Sequence, residues 1–199
     1  GRDKNVKKMI FLSTSQVYGK PKVMPIRQDE RKRPLTQYGR DKRKAEKICW
    51  NYIEKENVDI TIFRPSFISG AGTGDPMINI LMYLALAMGD SSRIYFSGNG
   101  NSRFQLIHPD DIIDAMLKSL KLPTKGKVYN IGSDNVPMQI EQIIKVRDRA
   151  RLDCQLKHIS SFSTKLLSLV LKPFNIKFLT KEHISFILSD FLLDCERAK

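Results

Sequence analysis

Residues 8–14 read KMIFLST, a short apolar run with basic side chains before it and hydroxyl side chains at its end. This pattern is typical of a buried strand in a parallel sheet. Residues 58–63 read VDITIF, a second run rich in β-branched side chains, which Pro65 stops. Between them, apolar side chains at spacings of three and four predict a helix over Thr36–Glu56. A strand, a helix and a strand in that order, with no hairpin signal, indicate a βαβ unit and a parallel sheet.

The rest of the chain continues as alternating short elements, which extends the α/β pattern. We predict an apolar helix over Met77–Met88, short strands over Arg93–Ser97 and Arg103–Ile107 around a turn, a helix from Pro109 to about Leu120, a strand over Lys127–Ile131, a helix over Pro137–Arg149, a strand within Arg151–Ile159 and a helix over Ser160–Leu171.

The composition excludes several classes of protein. Of the 199 residues, 41% are hydrophobic and 28% are charged, which is the balance of a soluble globular domain and not of a disordered tail. The longest apolar runs, such as Ile78–Met88, are shorter than the roughly 20 residues that a membrane-spanning helix needs. No secretory signal is expected, because no apolar segment with a cleavage site follows the charged start. Cys49, Cys154 and Cys195 form no CxxC pair, which argues against disulfides or a bound metal and favours the cytoplasm.

The charge balance is strongly basic, with 34 Lys+Arg against 21 Asp+Glu and a net charge of +13. Such a charge suits a polyanionic partner, such as a nucleic acid, an anionic membrane surface or a phosphorylated ligand. It also suits a lysine-rich solvated surface. The basic residues are scattered, with mild clusters at Arg31–Arg33, Arg40–Lys44 and Lys145–Arg151, and no aromatic side chains interleave them. We therefore favour the solvated surface and expect neither nucleic acid nor membrane as a partner.

Tyr38 and Lys42 stand four residues apart at the start of the first predicted helix, so their side chains share one face. A phenol has a pKa of about 10, and a nearby ammonium lowers it, so the pair can exchange a proton with a substrate hydroxyl. Ser13, Thr14 and Ser15 follow the first strand at its carboxyl end, where open parallel sheets bind ligands. This combination suits the oxidation of an alcohol or the reduction of a carbonyl. A surface phenol and a turn cap are the alternative interpretations of Tyr38 and Thr14.

The order of motifs resembles the extended short-chain dehydrogenase/reductase superfamily, and within it the NAD-dependent epimerase/dehydratase family that includes the UDP-galactose 4-epimerases. The resemblance covers most of the chain. It rests on FLSTSQVYG (Phe11–Gly19), PLTQYGRDK (Pro34–Lys42), FRPSFISGAG (Phe63–Gly72), SGNGNSRFQLIHPDDIIDAM (Ser97–Met116), KVYNIGSDN (Lys127–Asn135) and SDFLLDCERAK (Ser189–Lys199).

The resemblance implies an enzyme with NAD or NADP as its cofactor. Thr14 matches the hydroxyl residue that hydrogen-bonds the reacting alcohol, and Tyr38 matches the general base. Lys42 matches the lysine that holds the nicotinamide ribose. Pro65 and Ser66 match the stretch beside the nicotinamide ring. Tyr38, Lys42, Pro65 and Ser66 are therefore the expected cofactor contacts, and the catalytic set is Thr14, Tyr38 and Lys42.

Four further positions are expected to contact the substrate, and all depart from patterns in the family. Ser15 and Gln16 stand where dehydratases carry an acidic pair, which argues against elimination of water. Phe67 stands where many UDP-sugar epimerases have Asn. Arg103 lies one position before the family's Arg-Asp-aromatic run, which here reads Phe104–Leu106, and its guanidinium suits the oxygens of a diphosphate.

The resemblance implies a Rossmann-like doubly wound parallel sheet that is incomplete at its N-terminus, with a smaller C-terminal α/β region that binds substrate. The family's first strand, glycine-rich phosphate turn and ribose-reading residue are not in this sequence, and Gly70–Gly74 is no substitute because it follows the catalytic helix. We therefore expect the chain to be a portion of a longer protein. Residues 1–70 are assigned to the Rossmann domain and 71–199 mainly to the substrate region, with about 105–131 returning to the first.

Three functions follow as hypotheses. The first is an NAD(P)-dependent epimerase of a nucleotide-activated sugar, in which Tyr38 is the base and hydride is transferred transiently. The second is a reductase or dehydrogenase of a small carbonyl or hydroxysteroid-like compound. The third is a non-catalytic basic scaffold or nucleic-acid-binding subunit. In the family two helices from each subunit often form a dimer, for which Trp50, Tyr52 and Ile53 are candidates here, although burial against the sheet explains some of them equally well.

Overall fold

The computed structural model describes residues 6–70, 73–74, 93–149, 151, 153–160, 162–163, 166 and 188–199. The helix predicted over Met77–Met88 and most of the helix predicted over Ser160–Leu171 lie outside these residues. The chain forms two compact units. The first contains Gly1–Thr73, Gln105–Ser133 and Leu193–Lys199, and the second contains Gly74–Phe104 and Asp134–Leu192.

The described helices and strands follow one another in a mainly alternating order. They are β1 (Met9–Leu12), α1 (Gln37–Glu56), β2 (Ile60–Pro65), β3 (Phe67–Gly70), β4 (Thr73–Gly74), β5 (Arg93–Ser97), β6 (Leu106–Ile107), α2 (Pro109–Lys121), β7 (Val128–Ile131), α3 (Gln139–Arg149) and β8 (Gln155–Ile159), with 3-10 turns at Ser15–Val17 and Glu196–Ala198. No helix among the described residues is long and apolar enough to cross a membrane.

The first unit is built on a parallel sheet with the strand order β1-β2-β7. Met9 pairs with Ile60, and Ile62 pairs with Val128. Every residue of the central strand β2 is buried. The predicted βαβ unit and parallel sheet are thus confirmed.

A helix packs on each face of this sheet, and successive residues of β2 serve opposite faces. On one face, Ile60 and Ile62 pack with Cys49 of α1 and with Val128 of β7. On the other face, Phe63 forms a cluster with Ile107, Ile112 and Ile131. Because both faces are covered, β2 reads as a nearly continuous apolar run and not as an alternating one.

Residues proposed for a dimer seam are divided between the core and the surface. Trp50 and Ile53 pack against the core cluster on the α1 face, as burial against the sheet would explain. Tyr52 is exposed, as is Ile48 on the same helix. A homodimer therefore stays a prediction.

The second unit contains a parallel pair of strands, β5 and β8, in register from Arg93–Gln155 to Ser97–Ile159. The two strands predicted on either side of the turn after Ser97 do not pair with each other. β6 instead pairs in parallel with β3, with Phe67 opposite Leu106. Gly98 and Gly100 have φ values of 71° and 73°, so the chain does turn there, but each strand finds its partner far away in the sequence.

A charged side chain lies at the centre of the first unit. Arg64 of β2 is 2% exposed and is the largest fully buried side chain of the described residues. Its Nη1 donates to the hydroxyl of Tyr18 (2.8 Å) and to the carbonyl of Gln28 (2.9 Å). The Tyr18 hydroxyl in turn donates to Asn130 Oδ1 (2.7 Å), and Asn130 Nδ2 donates to the carbonyl of Ile26 (2.8 Å). This network ties the loop after β1 to β2 and β7.

The Tyr18→Phe substitution tests this network. Removal of the hydroxyl leaves Asn130 Oδ1 and one N–H of Arg64 without a buried partner, so the free energy of unfolding should fall by about 1–3 kcal/mol. Urea unfolding followed by circular dichroism measures it. Tyr52→Phe, at an exposed position of α1, is the matched control and should change stability by less than about 0.5 kcal/mol. Equal unfolding midpoints for Tyr18→Phe and the unchanged protein would show that the network adds no stability.

Candidate active site

The carboxyl end of β1 presents three buried hydroxyl residues in succession, Ser13, Thr14 and Ser15. Thr14 Oγ1 accepts a hydrogen bond from the backbone N–H of Gln16 (3.3 Å) and thereby caps the 3-10 turn. The turn-cap interpretation of Thr14 thus describes one of its contacts. Among the described residues, the Thr14 hydroxyl makes no hydrogen bond as a donor.

Lys42 joins the first turns of α1 to the same strand end. Its Nζ donates to the carbonyl oxygen of Leu12 at 2.8 Å. The same nitrogen lies 5.7 Å from the ring centroid of Tyr38 and 5.3 Å from that of Phe11. Tyr38 is 51% exposed. The helical spacing therefore brings the Lys42 ammonium near the Tyr38 ring, and the hydrogen bond holds Lys42 at the carboxyl edge of the sheet.

The start of α1 lies against the residue that follows the strand end. Thr36 caps the helix by accepting from the N–H of Gly39 (3.0 Å), and its hydroxyl donates to Gln16 Oε1 (2.9 Å). A Cβ at Gly39 would lie 2.7 Å from the Gln16 carbonyl oxygen, so no other residue fits there without a shift. The side chain of Gln16, a predicted substrate contact, is thus engaged in holding the helix.

Pro65 and Ser66 end the central strand at the same edge. The N–H of Ser66 donates to the carbonyl of Ile131 (2.7 Å), whereas its buried Oγ has no hydrogen-bond partner among the described residues. A buried hydroxyl without a partner costs about 1–3 kcal/mol. Ser66 is therefore a position at which a bound polar group would be stabilised. Phe67, the next predicted contact, is buried at the start of β3.

Arg103 and Gln105 belong to different units. Arg103 is exposed in the second unit, where its N–H donates to Asp190 Oδ1 (2.8 Å). Gln105 is buried in the first, with Nε2 donating to the carbonyl of Ser133 (2.8 Å) and Oε1 accepting from the N–H of Leu193 (2.7 Å). Gln105 thus holds the C-terminal segment, and a substrate contact through Arg103 stays a prediction.

A buried ion pair lies behind the strand ends, and the sequence analysis did not identify it. Arg64 makes a bidentate contact to Glu46 of α1, Nε to Oε1 at 2.8 Å and Nη2 to Oε2 at 2.7 Å. Ser13 Oγ donates to the same Glu46 Oε1 at 2.6 Å. Burial alone would lower the pKa of Arg64, but its hydrogen bonds to Glu46 raise that pKa above the ordinary value.

A sequence signal for this pair did exist. Arg64 follows the apolar run of β2, and Glu46 stands four residues after Lys42 on the same face of the helix. A charge within a buried strand needs a partner of opposite charge. No cluster of three or more His, Cys, Asp or Glu side chains suited to a metal ion occurs in the described part of the chain.

Comparison with known proteins shows the family to which the chain is related. The model of the NAD dependent epimerase/dehydratase family matches residues 1–132. A UDP-glucuronate 4-epimerase of Thermodesulfobacterium geofontis is 28% identical over 149 residues, which are 74% of this chain and 45% of that protein. A dTDP-D-glucose 4,6-dehydratase of Homo sapiens is 27% identical over 140 residues, 70% of this chain and 39% of that protein.

The fold has a close parallel among solved structures. The UDP-glucuronic acid 4-epimerase from Bacillus cereus, in complex with NAD, superimposes with a TM-score of 0.73 at 18% identity, covering 99% of this chain and 55% of that one. The chain thus spans about half the length of these proteins. The structural likeness agrees with the Rossmann-like sheet, and the matched family model covers well over half of the residues. The chain therefore belongs to the NAD-dependent epimerase/dehydratase family.

Proposed function

We propose that this protein is an NAD(P)-dependent epimerase of a nucleotide-activated sugar, with Tyr38 as its acid/base group. The observation that carries the proposal is the bond from Lys42 Nζ to the Leu12 carbonyl (2.8 Å), which holds Lys42, 5.7 Å from the Tyr38 ring centroid, at the carboxyl edge of β1. That edge is where open parallel sheets bind ligands. The nucleotide sugar is supported by relatives that include a UDP-glucuronate 4-epimerase.

The residues at this edge fit the nicotinamide-ribose end of NAD or NADP. The Lys42 ammonium has three donors, of which the Leu12 carbonyl accepts one. The buried Ser66 hydroxyl has no described partner and suits a polar group of the cofactor. When bound, the cofactor accepts and returns a hydride, while the protein supplies orientation and proton exchange. The family's ribose-reading residue, which distinguishes NAD from NADP, is not in this sequence.

Proton transfer falls to residues of this chain. The Thr14 hydroxyl orients the reacting hydroxyl of the sugar by a hydrogen bond, and the Tyr38 phenol takes its proton. Lys42, 5.7 Å from the Tyr38 ring centroid, stabilises the negative charge that develops on the phenol oxygen. The keto sugar then rotates in the site so that its other face is reduced. The same phenol returns the proton to the carbonyl oxygen, which becomes a hydroxyl again. Epimerisation therefore needs one acid/base residue, used twice.

Elimination of water fits this chain less well. It requires a second acid/base pair, and Ser15 and Gln16 stand where the dehydratases of the family carry acidic residues. Ser15 is 1% exposed, and the Gln16 side chain accepts a hydrogen bond from Thr36. Neither carries a carboxyl group. This favours epimerisation over dehydration.

A reductase or dehydrogenase of a small carbonyl compound is the second candidate. It is favoured by Phe67 and Gln105, which are buried. At these two positions the sugar-nucleotide enzymes of the family have residues other than those of this chain. The proton-transfer residues and the cofactor would be the same. The two candidates differ in whether the cofactor leaves the reaction in its original redox state.

Removal of the Tyr38 hydroxyl tests the acid/base assignment. Tyr38→Phe keeps the ring beside Lys42 but removes the proton carrier, so kcat should fall by on the order of 10²–10⁴-fold. Turnover of UDP-glucuronate or a related nucleotide sugar by the protein with its complete natural sequence is the measurement. Tyr52→Phe is the matched control on the same helix and should leave kcat unchanged. Full activity of Tyr38→Phe would remove Tyr38 from the mechanism.

Analysis of products distinguishes the two candidates. With a UDP-sugar and NAD, the epimerase should form the 4-epimer, separable by chromatography, while the absorbance of reduced nicotinamide stays flat. A dehydrogenase should instead accumulate reduced cofactor in step with its oxidised product. Stoichiometric formation of reduced nicotinamide would therefore replace the epimerase proposal with the second candidate.

A further inference from the structure

The groups assigned to catalysis and to cofactor binding lie on three separate segments. Thr14 follows β1, Tyr38 and Lys42 lie on α1, and Ser66 follows β2. An enzyme loses as much as about 10²-fold in rate when such groups are misplaced by about 1 Å. Something must therefore hold the helix and the two strand ends in a fixed relation.

Three hydrogen bonds tie α1 to the end of β1 and the residues that follow it. The Thr36 hydroxyl binds Gln16 Oε1 at 2.9 Å, and Lys42 Nζ binds the Leu12 carbonyl at 2.8 Å. The third and most buried tie is from Ser13 Oγ to Glu46 Oε1, at 2.6 Å. Lys42 and Glu46 are one helical turn apart, and their partners are adjacent on the strand. The helix is thus held against both sliding and tilting at this edge.

Glu46 differs from Thr36 and Lys42, which make the other two hydrogen bonds, because Glu46 also contacts β2. Its carboxylate is bound on both oxygens by Arg64, which is followed directly by Pro65 and Ser66. Oε1 accepts from Ser13 and from Arg64 Nε at once. One buried carboxylate therefore connects the neighbour of Thr14, the helix of Tyr38, and the neighbour of Pro65.

The negative charge of Glu46 and the positive charge of Arg64 neutralise each other in the buried contact. Glu46 is 4% exposed and Arg64 is 2% exposed. A buried pair of this kind is costly to assemble from water, and apolar side chains of similar size often stabilise a fold as well or better. A gain in stability alone therefore does not explain the presence of such a pair. Its hydrogen bonds are directional, so they fix the geometry of the elements more closely than apolar packing does.

We propose that Glu46 is a positioning residue of the reaction. Its carboxylate, held by Arg64, sets the register of α1 against the ends of β1 and β2, and so the distance of Tyr38 and Lys42 from Thr14 and Ser66. Glu46 touches neither substrate nor cofactor in this scheme and acts through Ser13 and Arg64. The inference rests on the proposed function, because Glu46 is assigned the role of positioning the residues of the proposed active site.

The Ser13→Ala substitution tests the inference without breaking the ion pair. It removes the link from Glu46 to the strand end but leaves both Arg64 contacts, so the protein should fold. In the protein with its complete natural sequence, kcat should fall by about ten- to a hundredfold while KM for sugar nucleotide and cofactor changes less than about twofold. The matched control is Thr61→Val, which removes an equally buried hydroxyl of β2 that bonds Thr124 (2.7 Å), away from the strand ends. It should leave kcat and KM unchanged.

A second measurement does not depend on activity. Hydrogen exchange of the backbone amides of Tyr38–Lys42, in protein without ligand, should be about tenfold faster in Ser13→Ala and unchanged in Thr61→Val. Unchanged kcat in Ser13→Ala would overturn the inference, as would unchanged exchange in Ser13→Ala or an equal loss of kcat in both variants.

The proposed function can fail separately. If Tyr38→Phe, measured in the same series, keeps the rate of the unchanged protein, both the acid/base assignment and the positioning role are wrong. If Tyr38→Phe loses its activity while Ser13→Ala keeps full kcat, only the role of Glu46 is overturned.

Discussion

The contact between Arg64 and Glu46 is the interaction on which the first unit depends. Arg64 stands in the central strand, whose residues are all buried, and its side chain is almost entirely shielded from water. The bidentate contact at 2.8 and 2.7 Å uses two of the five guanidinium N–H groups, and Tyr18 and Gln28 accept from two more. Removal of one partner of such a buried pair costs about 3–5 kcal/mol, so the helix, the strand and the loop stabilise one another.

This constraint connects the core to the chemistry at the sheet edge. The apolar clusters on the two faces hold the sheet between α1 and α2, but apolar contacts are not directional. Hydrogen bonds at the strand ends supply the direction. Lys42 reaches the Leu12 carbonyl and Glu46 reaches the Ser13 hydroxyl, so the face of α1 that bears Tyr38 is oriented toward the carboxyl edge. There, the Ser66 hydroxyl keeps hydrogen-bonding capacity that the described residues do not use.

The sequence predicted the local features well and the long-range polar contacts poorly. The βαβ unit and the approximate bounds of α1 followed from the periodicity of the apolar side chains, because that signal is local. The pairing of β5 and β6 could not be predicted in this way, since their partner strands β8 and β3 lie far away in the sequence. Gln105 lies in the stretch where this chain departs from the family's Arg-Asp-aromatic run at the substrate. In the structure its amide group hydrogen-bonds the backbone of Ser133 and Leu193. The Ser66 hydroxyl was placed beside the cofactor by family resemblance, but its lack of a partner is a property of the packed strand ends.

The central claim is that the carboxyl edge formed by β1, β2 and the start of α1 receives the nicotinamide end of the cofactor. A crystal structure of the protein with its complete natural sequence and bound NAD tests this claim most directly. The account predicts that Lys42 Nζ keeps the Leu12 carbonyl and gains a ribose hydroxyl, and that Ser66 Oγ acquires a hydrogen-bond partner from the cofactor or a water bound to it. A cofactor seated elsewhere, with Lys42 and Ser66 unchanged in their contacts, would contradict it.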